Sequence, residues 1–399
     1  PIYLAKYAKE NGLLNTPGWK RLRRYAKKEY KLNRLVKQAK RKAAKHGVRI
    51  KFGVRIPRNH AEAMRFDQLN GNNLWKEAED KELKQIYEYE AFESLGPNAR
   101  VPHEHTKIRV HMVCDCKQDG RRKARLVAGG HMTGVNEDTH CSSVVSLRTM
   151  RIVMFLAELN DLELCAGDVG NAHLEARTQE KVCFIAGDEF TPFGHAGHLM
   201  VIRKALHGLK SSGSRYHETF SETMIGLGFF PCKAERDVWM RDRDDHYEYV
   251  CTYVDDLLCA GKDAKGFHKS LTDLGCKLKG VGSPTCHLGG DFKREKDPEP
   301  VLTWGAATHV KRMLKNYELM FGEPPPSRKC HAPMTKEDPP ELDDSELLDE
   351  HGKSQCWQMI GELQWAVSLG RVDIMCVTQT MARFRPAPRR GHLDRLKRV

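Results

Sequence analysis

The sequence predicts an α+β fold, and three observations carry that prediction. Helical and strand-like stretches alternate along 399 residues without the regular strand–helix–strand period of a doubly wound sheet. No self-similarity recurs at the spacing of a repeat protein, roughly 20–50 residues. Hydrophobic residues at 40% and charged residues at 30% match a globular chain. The purest apolar run, Ile152 to Ala157, falls far short of the ~18 residues that a membrane span needs. No signal peptide opens the chain. Membrane and secreted roles are therefore not expected. The first residue is Pro1 rather than Met, which suggests a piece of a longer product.

The elements follow in order. Residues 1–60 hold nineteen Lys and Arg against Glu10 and Glu29, a charge of +17. The whole chain carries +13, so the remaining 339 residues carry −4. Apolar residues interleaved with the cations (Leu14, Leu22, Leu32, Leu35) predict a basic helical arm. Such a block either meets a polyanion, most often nucleic acid, or is a solvated helix face. A helix is expected over Asn73–Leu95, then strands at Lys107–Cys114 and Arg122–Ala128 around the turn Gln118-Asp119-Gly120. Leu147–Leu162 reads as a helix with Met150, Val153, Met154 and Ala157 on one face, and Glu163–Val169 as a strand. A strand and a long helix span Leu199–Gly228, broken at Lys210-Ser211-Ser212-Gly213. Tyr247–Ala260 is the most strand-like stretch. A helix at Ala264–Leu274, a hairpin reaching Phe292, a helix at Thr308–Phe321, an acidic linker over Lys336–Glu350 and a helix pair at 354–369 and 371–384 complete the chain.

Thirteen cysteines form no Cys-x-x-Cys pair. Cys114 and Cys116 would point the same way on a strand, too close to bridge easily. With His103 and His105 upstream a zinc site is conceivable, but no second spaced pair completes it, and reduced thiols fit better.

The sharpest anomaly is Tyr253-Val254-Asp255-Asp256-Leu257-Leu258, two adjacent carboxylates inside an apolar strand pattern. Carboxylates that lose hydration and repel each other need compensation, and a divalent cation with oxygen ligands supplies it. An inert, solvated Asp-Asp turn is the bland alternative. Asp168 ends a second short apolar strand, so only a tertiary fold could unite it with Asp255 and Asp256. Three carboxylates on adjacent strands would make a two-metal site for nucleotidyl transfer, without specifying the template.

At these residues the chain resembles the reverse transcriptase of copia-type long-terminal-repeat retrotransposons. Ordered blocks carry the resemblance: Lys123-Ala124-Arg125-Leu126-Val127-Ala128, Ser143-Val144-Val145-Ser146, Asp168-Val169-Gly170-Asn171-Ala172-His173-Leu174, Lys204-Ala205-Leu206-His207-Gly208-Leu209-Lys210, Tyr253-Val254-Asp255-Asp256, His287-Leu288-Gly289-Gly290 and Ile360-Gly361-Glu362-Leu363-Gln364-Trp365. The resemblance implies an RNA-directed DNA polymerase with a right-hand fold. Its parts would be the basic helical arm as a post-integrase junction (1–60), fingers and the start of the palm (61–165), palm with an interleaved fingers segment (166–300), and thumb and connection helices (301–399).

The resemblance further implies that Asp168, Asp255 and Asp256 are catalytic and, with the Val169 carbonyl, hold two Mg²⁺ ions, Mn²⁺ being an alternative. Lys123 and Arg125 would neutralise the triphosphate, with Asn171, Ala172, His173 and Tyr253 around the incoming dNTP. His287, Leu288 and Gly289 would hold the primer end. Partners implied are RNA and DNA template-primer and the integrase and ribonuclease H of the same polyprotein. The implied location is intracellular, in a cytoplasmic virus-like particle with the nucleus as a second destination.

Departures from the family pattern define the competing reading. His173 stands where an aromatic ring excludes a ribose 2′-hydroxyl. His207, Cys141, Cys183 and Cys286 stand where tyrosine is expected. Tyrosine codons become His or Cys codons by single transitions, so a decayed copy that binds nucleic acid without catalysis is the alternative. For Gly208 and Gly213, turn chemistry and substrate contact are equally open.

Overall fold

The computed structural model describes residues 49–117, 119–134, 142–295, 301–326, 334 and 339–399. Residues 1–48, most of the expected basic arm, and Cys141 lie outside them. The described end of the arm is not helical. Strands β1 (Ile50–Lys51) and β2 (Val54–Arg55) form a hairpin. Its turn residues Phe52 and Gly53 have φ of 51° and 76°, the two-residue geometry whose twist suits tight hairpins. The signal was present as alternation of Ile50, Phe52, Val54 and Ile56, hidden within a run of charge.

Helix α1 (His60–Asn70) is capped by Asn59, whose side chain accepts the Glu62 amide, and ends at Gly71 with φ 62°. Helix α2 (Leu74–Glu88) is started by α1: the buried Asp67 carboxylate accepts the amides of Trp75 at 3.0 Å and Lys76 at 2.9 Å. Asp67→Ala would strand both donors. It is expected to cost about 2 kcal/mol, read as a lower denaturant midpoint with unchanged slope.

The remaining elements are β3 (Phe92–Pro97), β4 (Thr106–Lys107), β5 (Val110–Cys116), β6 (Arg122–Ala128), α3 (Leu147–Leu159), β7 (Glu163–Val169), α4 (Ala172–Glu175), β8 (Val182–Ile185), β9 (His198–Ile202), α5 (Ser212–Gly226), β10 (Phe230–Pro231), β11 (Val238–Asp242), β12 (Tyr247–Tyr253), β13 (Asp256–Gly261), α6 (Ala264–Asp273), β14 (Leu278–Gly282), β15 (Cys286–His287), β16 (Gly290–Glu295), β17 (Val301–Gly305), α7 (Ala307–Phe321), α8 (Glu350–Ser368), α9 (Met375–Ala382) and α10 (Arg390–Leu396). The mixture of helices with mainly antiparallel sheets is α+β, as the sequence predicts. The expected helix over Asn73–Leu95 stops at Glu88, because Phe92–Pro97 pairs with β9 instead.

A six-stranded antiparallel sheet in the order β10-β11-β12-β13-β7-β14 forms the centre. Alternation along β13 divides its two faces. Leu257 and Cys259 pack with Phe220 and Met224 of α5 and Phe267 and Leu271 of α6. Leu258 and Ala260 pack with Met150, Val153 and Ala157 of α3. A second core joins α2, the β5–β6 hairpin and the sheet β3-β9-β8-β4 around Leu83, Leu126 and Phe184. Cys114 and Cys116 share the buried face of β5, as alternation requires.

Helices α8, α9 and α10 share a separate core. The acidic stretch expected as a linker is tied down where it is described. Asp343 makes a buried ion pair with Arg395, and Asp349 caps α8 through the Gly352 amide at 2.7 Å. Among the described residues, no helix is long and apolar enough to cross a membrane.

Candidate active site

Strands β12 and β13 are joined by a two-residue turn, Val254-Asp255, and β13 pairs with β7 so that Asp256 lies directly opposite Asp168. Cross-strand partners share a face, so both carboxylates project from the same side of the sheet, and like charges so placed repel. The Val169 amide donates to the Asp255 carbonyl at 2.8 Å, which ties the turn to the end of β7. Val254 has φ 57°, a left-handed conformation that a β-branched residue adopts only under strain. The strain sits in the turn that presents Asp255.

The carboxylates bear the electrostatic mark of this crowding. Burial, then Asp255 and Asp168, push Asp256 up to about 6. Burial and Asp255 also raise Asp168, against the opposing pull of Lys279, Lys123 and Lys117. Lys279 is the register partner of Asp168 across β14, so Asp168 stands between a carboxylate and an ammonium.

Above the acids lies the solvent face of the β5–β6 hairpin. Lys123 and Arg125 line one cleft of about 500 Å³ with Asp168, Asn171, Ala172, His173, Tyr253, Asp255 and Asp256. Burial, reinforced by Arg125 and Lys117, lowers the Lys123 ammonium below its usual value. Asn171 adopts the left-handed conformation at φ 56°, which asparagine tolerates, and leads into α4 with Ala172 buried behind it. His173 and His207 meet with ring centroids 4.8 Å apart. Burial lowers both, His207 to about 4, so two neutral imidazoles form this wall at physiological pH. Every anticipated catalytic and substrate-binding residue thus lines one cleft. Val169 stands just behind it, its side chain buried.

The other anticipated group lies apart. Leu288 and Gly289, at φ 47° and 77°, make the tight β15–β16 turn, and neither lines the cleft. The His287 imidazole is buried, its Nε2 has no hydrogen-bond partner, and burial lowers its pKa to about 4. Outward contact from this turn falls to Leu288 and Gly289, the latter beside the Trp365 indole.

Sequence reasoning missed Lys279 and Glu82. Both line the cleft, and the Glu82 carboxylate is raised by burial while accepting the Leu126 amide at 3.2 Å. Neither sits in a local motif. Lys279 reaches Asp168 only through pairing of strands distant in sequence. Of the residues expected to be tyrosine, Cys183 is buried in β8 and Cys286 is exposed at the start of β15.

Among the described residues, no group of three or more His, Cys, Asp or Glu is drawn together closely enough to hold a metal ion, the three aspartates included. The donor set nevertheless fits a hard divalent cation: oxygen ligands only, mutually repelling and partly desolvated.

Paired acids on a central antiparallel sheet with cations facing them form a class of site suited to a divalent cation and an anionic ligand. Comparison with known proteins narrows the class. The family model "Reverse transcriptase (RNA-dependent DNA polymerase)" matches residues 98–325, more than half of the chain, and the chain belongs to that family. It is 24% identical over 373 residues to the Retrovirus-related Pol polyprotein from transposon TNT 1-94 of Nicotiana tabacum, covering 86% of this chain and 28% of that one. It is 23% identical over 281 residues to the Retrovirus-related Pol polyprotein from transposon RE1 of Arabidopsis thaliana, covering 70% and 19%. The chain thus spans under a third of the length of these relatives, and its affinity is with the copia-type group.

Proposed function

We propose that the chain is the RNA-directed DNA polymerase module of a copia-type Pol polyprotein, working by two-metal nucleotidyl transfer. The observation that carries this reading is the convergence of Asp168, Asp255 and Asp256 beneath Lys123 and Arg125 in one cleft. In this reading the β5–β6 hairpin and α2 are fingers, the six-stranded sheet with α3, α5 and α6 is palm, and α7 to α10 are thumb and connection. In the same reading the boundaries are 61–165, 166–300 and 301–399, with 1–60 as the arm. Template-primer and dNTPs are its substrates, and integrase and ribonuclease H its neighbours in the polyprotein.

The three carboxylates and the Val169 carbonyl would hold two Mg²⁺ ions, whose Lewis acidity favours the primer 3′-alkoxide and offsets the pyrophosphate charge. The chain's own residues do the remainder. Lys123 and Arg125 bind the triphosphate and neutralise charge as it shifts to the leaving group. The strained Val254 turn holds Asp255 rigidly at the tip. Lys279 opposes the rise that burial and Asp255 impose on the Asp168 carboxyl. Ala172, His173 and Tyr253 bound the nucleotide, while Leu288 and Gly289 face the primer end.

Primer extension on an oligo-dT-primed RNA template with dNTPs and Mg²⁺ tests the proposal, beside a folding check by circular dichroism. Extension supports it. A folded protein with no extension replaces it with the decayed, binding-only copy, which the imidazoles at 173 and 207 and the buried Cys183 favour. His173→Phe restores a larger ring in the nucleotide wall. It is expected to raise the dNTP-over-rNTP ratio of kcat/KM by roughly ten-fold; an unchanged ratio would remove His173 from sugar selection.

A further inference from the structure

Two imidazoles in the cleft have no part in the metal chemistry of the three carboxylates. His173 and His207 line it with ring centres 4.8 Å apart and ring planes at 56°. Neither ring has a hydrogen-bond partner among the described residues, and the nitrogens of both reach solvent. By contrast, the half-buried His217 is held by Asp237 at 2.9 Å, and the buried His309 ring donates to the Glu362 carbonyl at 2.9 Å. Both backbones are fixed. His173 sits in α4, where its carbonyl accepts the Ala176 amide at 3.2 Å, and the His207 carbonyl accepts the Ala128 amide at 2.7 Å.

Their spacing suits a shared metal ion. An imidazole nitrogen lies about 2.0–2.1 Å from a bound Zn²⁺, which puts the ring centre roughly 3.2 Å from the metal. Two such rings meeting at angles between square and tetrahedral stand with centres about 4.5–5.2 Å apart. The observed 4.8 Å falls inside that range. Burial lowers both imidazoles, so their lone pairs are available to a metal at neutral pH. The type of ion separates this pair from the carboxylates. Neutral imidazole suits Zn²⁺ and its transition-metal neighbours, whereas Mg²⁺ takes oxygen ligands. Among the described residues, no third His, Cys, Asp or Glu closes on the pair, so water would fill the remaining positions. Zn²⁺ has no geometric preference of its own and accepts such a shell.

We propose that His173 and His207 together bind a divalent transition ion of the Zn²⁺ type, and that the bound ion blocks the nucleotide wall of the cleft. The binding half rests on the two rings alone. The blocking half rests on the polymerase reading, in which His173 borders the incoming dNTP. The chain is then inhibited by an ion that its three carboxylates do not require.

The probe is Zn²⁺ alone, titrated into the full chain against a chromophoric chelator with Mg²⁺ in excess. His207→Tyr keeps a ring in place and offers no imidazole nitrogen. It should weaken one Zn²⁺ site by at least the roughly ten-fold that loss of an outer-shell partner costs. His173→Phe should weaken the same site, and the double variant should lose no more than either single, as one shared ion requires. Melting curves by circular dichroism show that each variant folds, and Zn²⁺ should raise the midpoint of the unaltered chain alone. If one variant fails to fold, the other decides. His195 and His198, with centres 5.3 Å apart outside the cleft, are the competing location. Equal Zn²⁺ affinity in the unaltered and His207→Tyr chains, or a loss in His195→Gln instead, overturns the site. Primer extension reads the blocking half. Zn²⁺ should raise the KM for dNTP with kcat unchanged in the unaltered chain, and far less in His207→Tyr. Zn²⁺ binding lost in His207→Tyr without any extension by the unaltered chain keeps the pair and removes the polymerase. Extension whose KM ignores Zn²⁺ keeps the polymerase and removes the block.

Discussion

With Asp255 replaced by asparagine, primer extension falls by about three orders of magnitude, while affinity for primer–template is kept or slightly raised. Asparagine preserves the shape of the turn tip and removes one anionic oxygen donor. The several kcal/mol of transition-state stabilisation that such a metal site supplies correspond to a loss of roughly that size. Affinity follows different residues. Phosphate contacts come from cations, and Lys123, Arg125 and Lys279 remain in the cleft with one fewer carboxylate to oppose them. Steady-state extension and filter binding on the same preparation read the two effects separately. Extension at the unaltered rate would sink the assignment of Asp255, and equal loss of binding would make its role structural.

The neighbouring carboxylate supplies a check without turnover. Asp256 is raised to about 6 by burial and by Asp255 and Asp168. The folded, metal-free protein therefore holds that proton more tightly than the unfolded chain does. The corresponding stability is present below the ordinary carboxylate value near 3.8, declines as pH rises towards about 6, and is absent above it. Asp256→Asn carries no such charge. Its thermal midpoint should match the unaltered protein at low pH and exceed it increasingly from about pH 4 to 6. Adding Mg²⁺ should close the gap above pH 6 by stabilising only the chain that keeps the carboxylate. A gap independent of both pH and Mg²⁺ would mean that Asp256 neither titrates there nor meets a cation.

The acids were legible because they break a local rule. Apolar strands do not carry carboxylates without reason, and the aspartates of β7 and of the β12–β13 turn violated the alternation around them. Strands β6 and β7 have the bounds the sequence predicts, β6 because its hairpin partner β5 follows a short turn and the signal is local. What escaped depends on distant pairing. Phe92–Pro97 has a helix-like sequence context, yet its hydrogen bonds go to β9, more than a hundred residues on. Lys279 shows nothing in its own neighbourhood that marks it, and it acquires a role only because β14 lies against β7. In the β1–β2 hairpin, charge drowned a clear two-residue period.

Gly208 carries the second large effect, and it resolves an alternative that the sequence left open. Its φ is 94°, a conformation L side chains rarely adopt. A Cβ there would lie 2.2 Å from the Ala128 carbonyl oxygen and 2.6 Å from a Val127 methyl. The fit is reciprocal: a Cβ on Gly130 would lie 2.2 Å from the Gly208 carbonyl oxygen. The two segments meet backbone to backbone, clamped by the Ala128 amide donating to His207 at 2.7 Å. The nearest obstructing atom, the Ala128 carbonyl oxygen, belongs to the main chain at the end of β6, which cannot swing aside as a side chain would. Overpacking and backbone strain each cost about 1–3 kcal/mol, so Gly208→Ala should lose about 4 kcal/mol. Against a total of about 5–15 kcal/mol for an ordinary domain, that is a large shift in the denaturant midpoint. The substrate-contact reading predicts the opposite division, with stability untouched and dNTP affinity reduced. A Gly208→Ala protein as stable as the unaltered chain would therefore return the glycine to the substrate, and an unstable one fixes it as the joint that seats His207 beneath the β5–β6 hairpin.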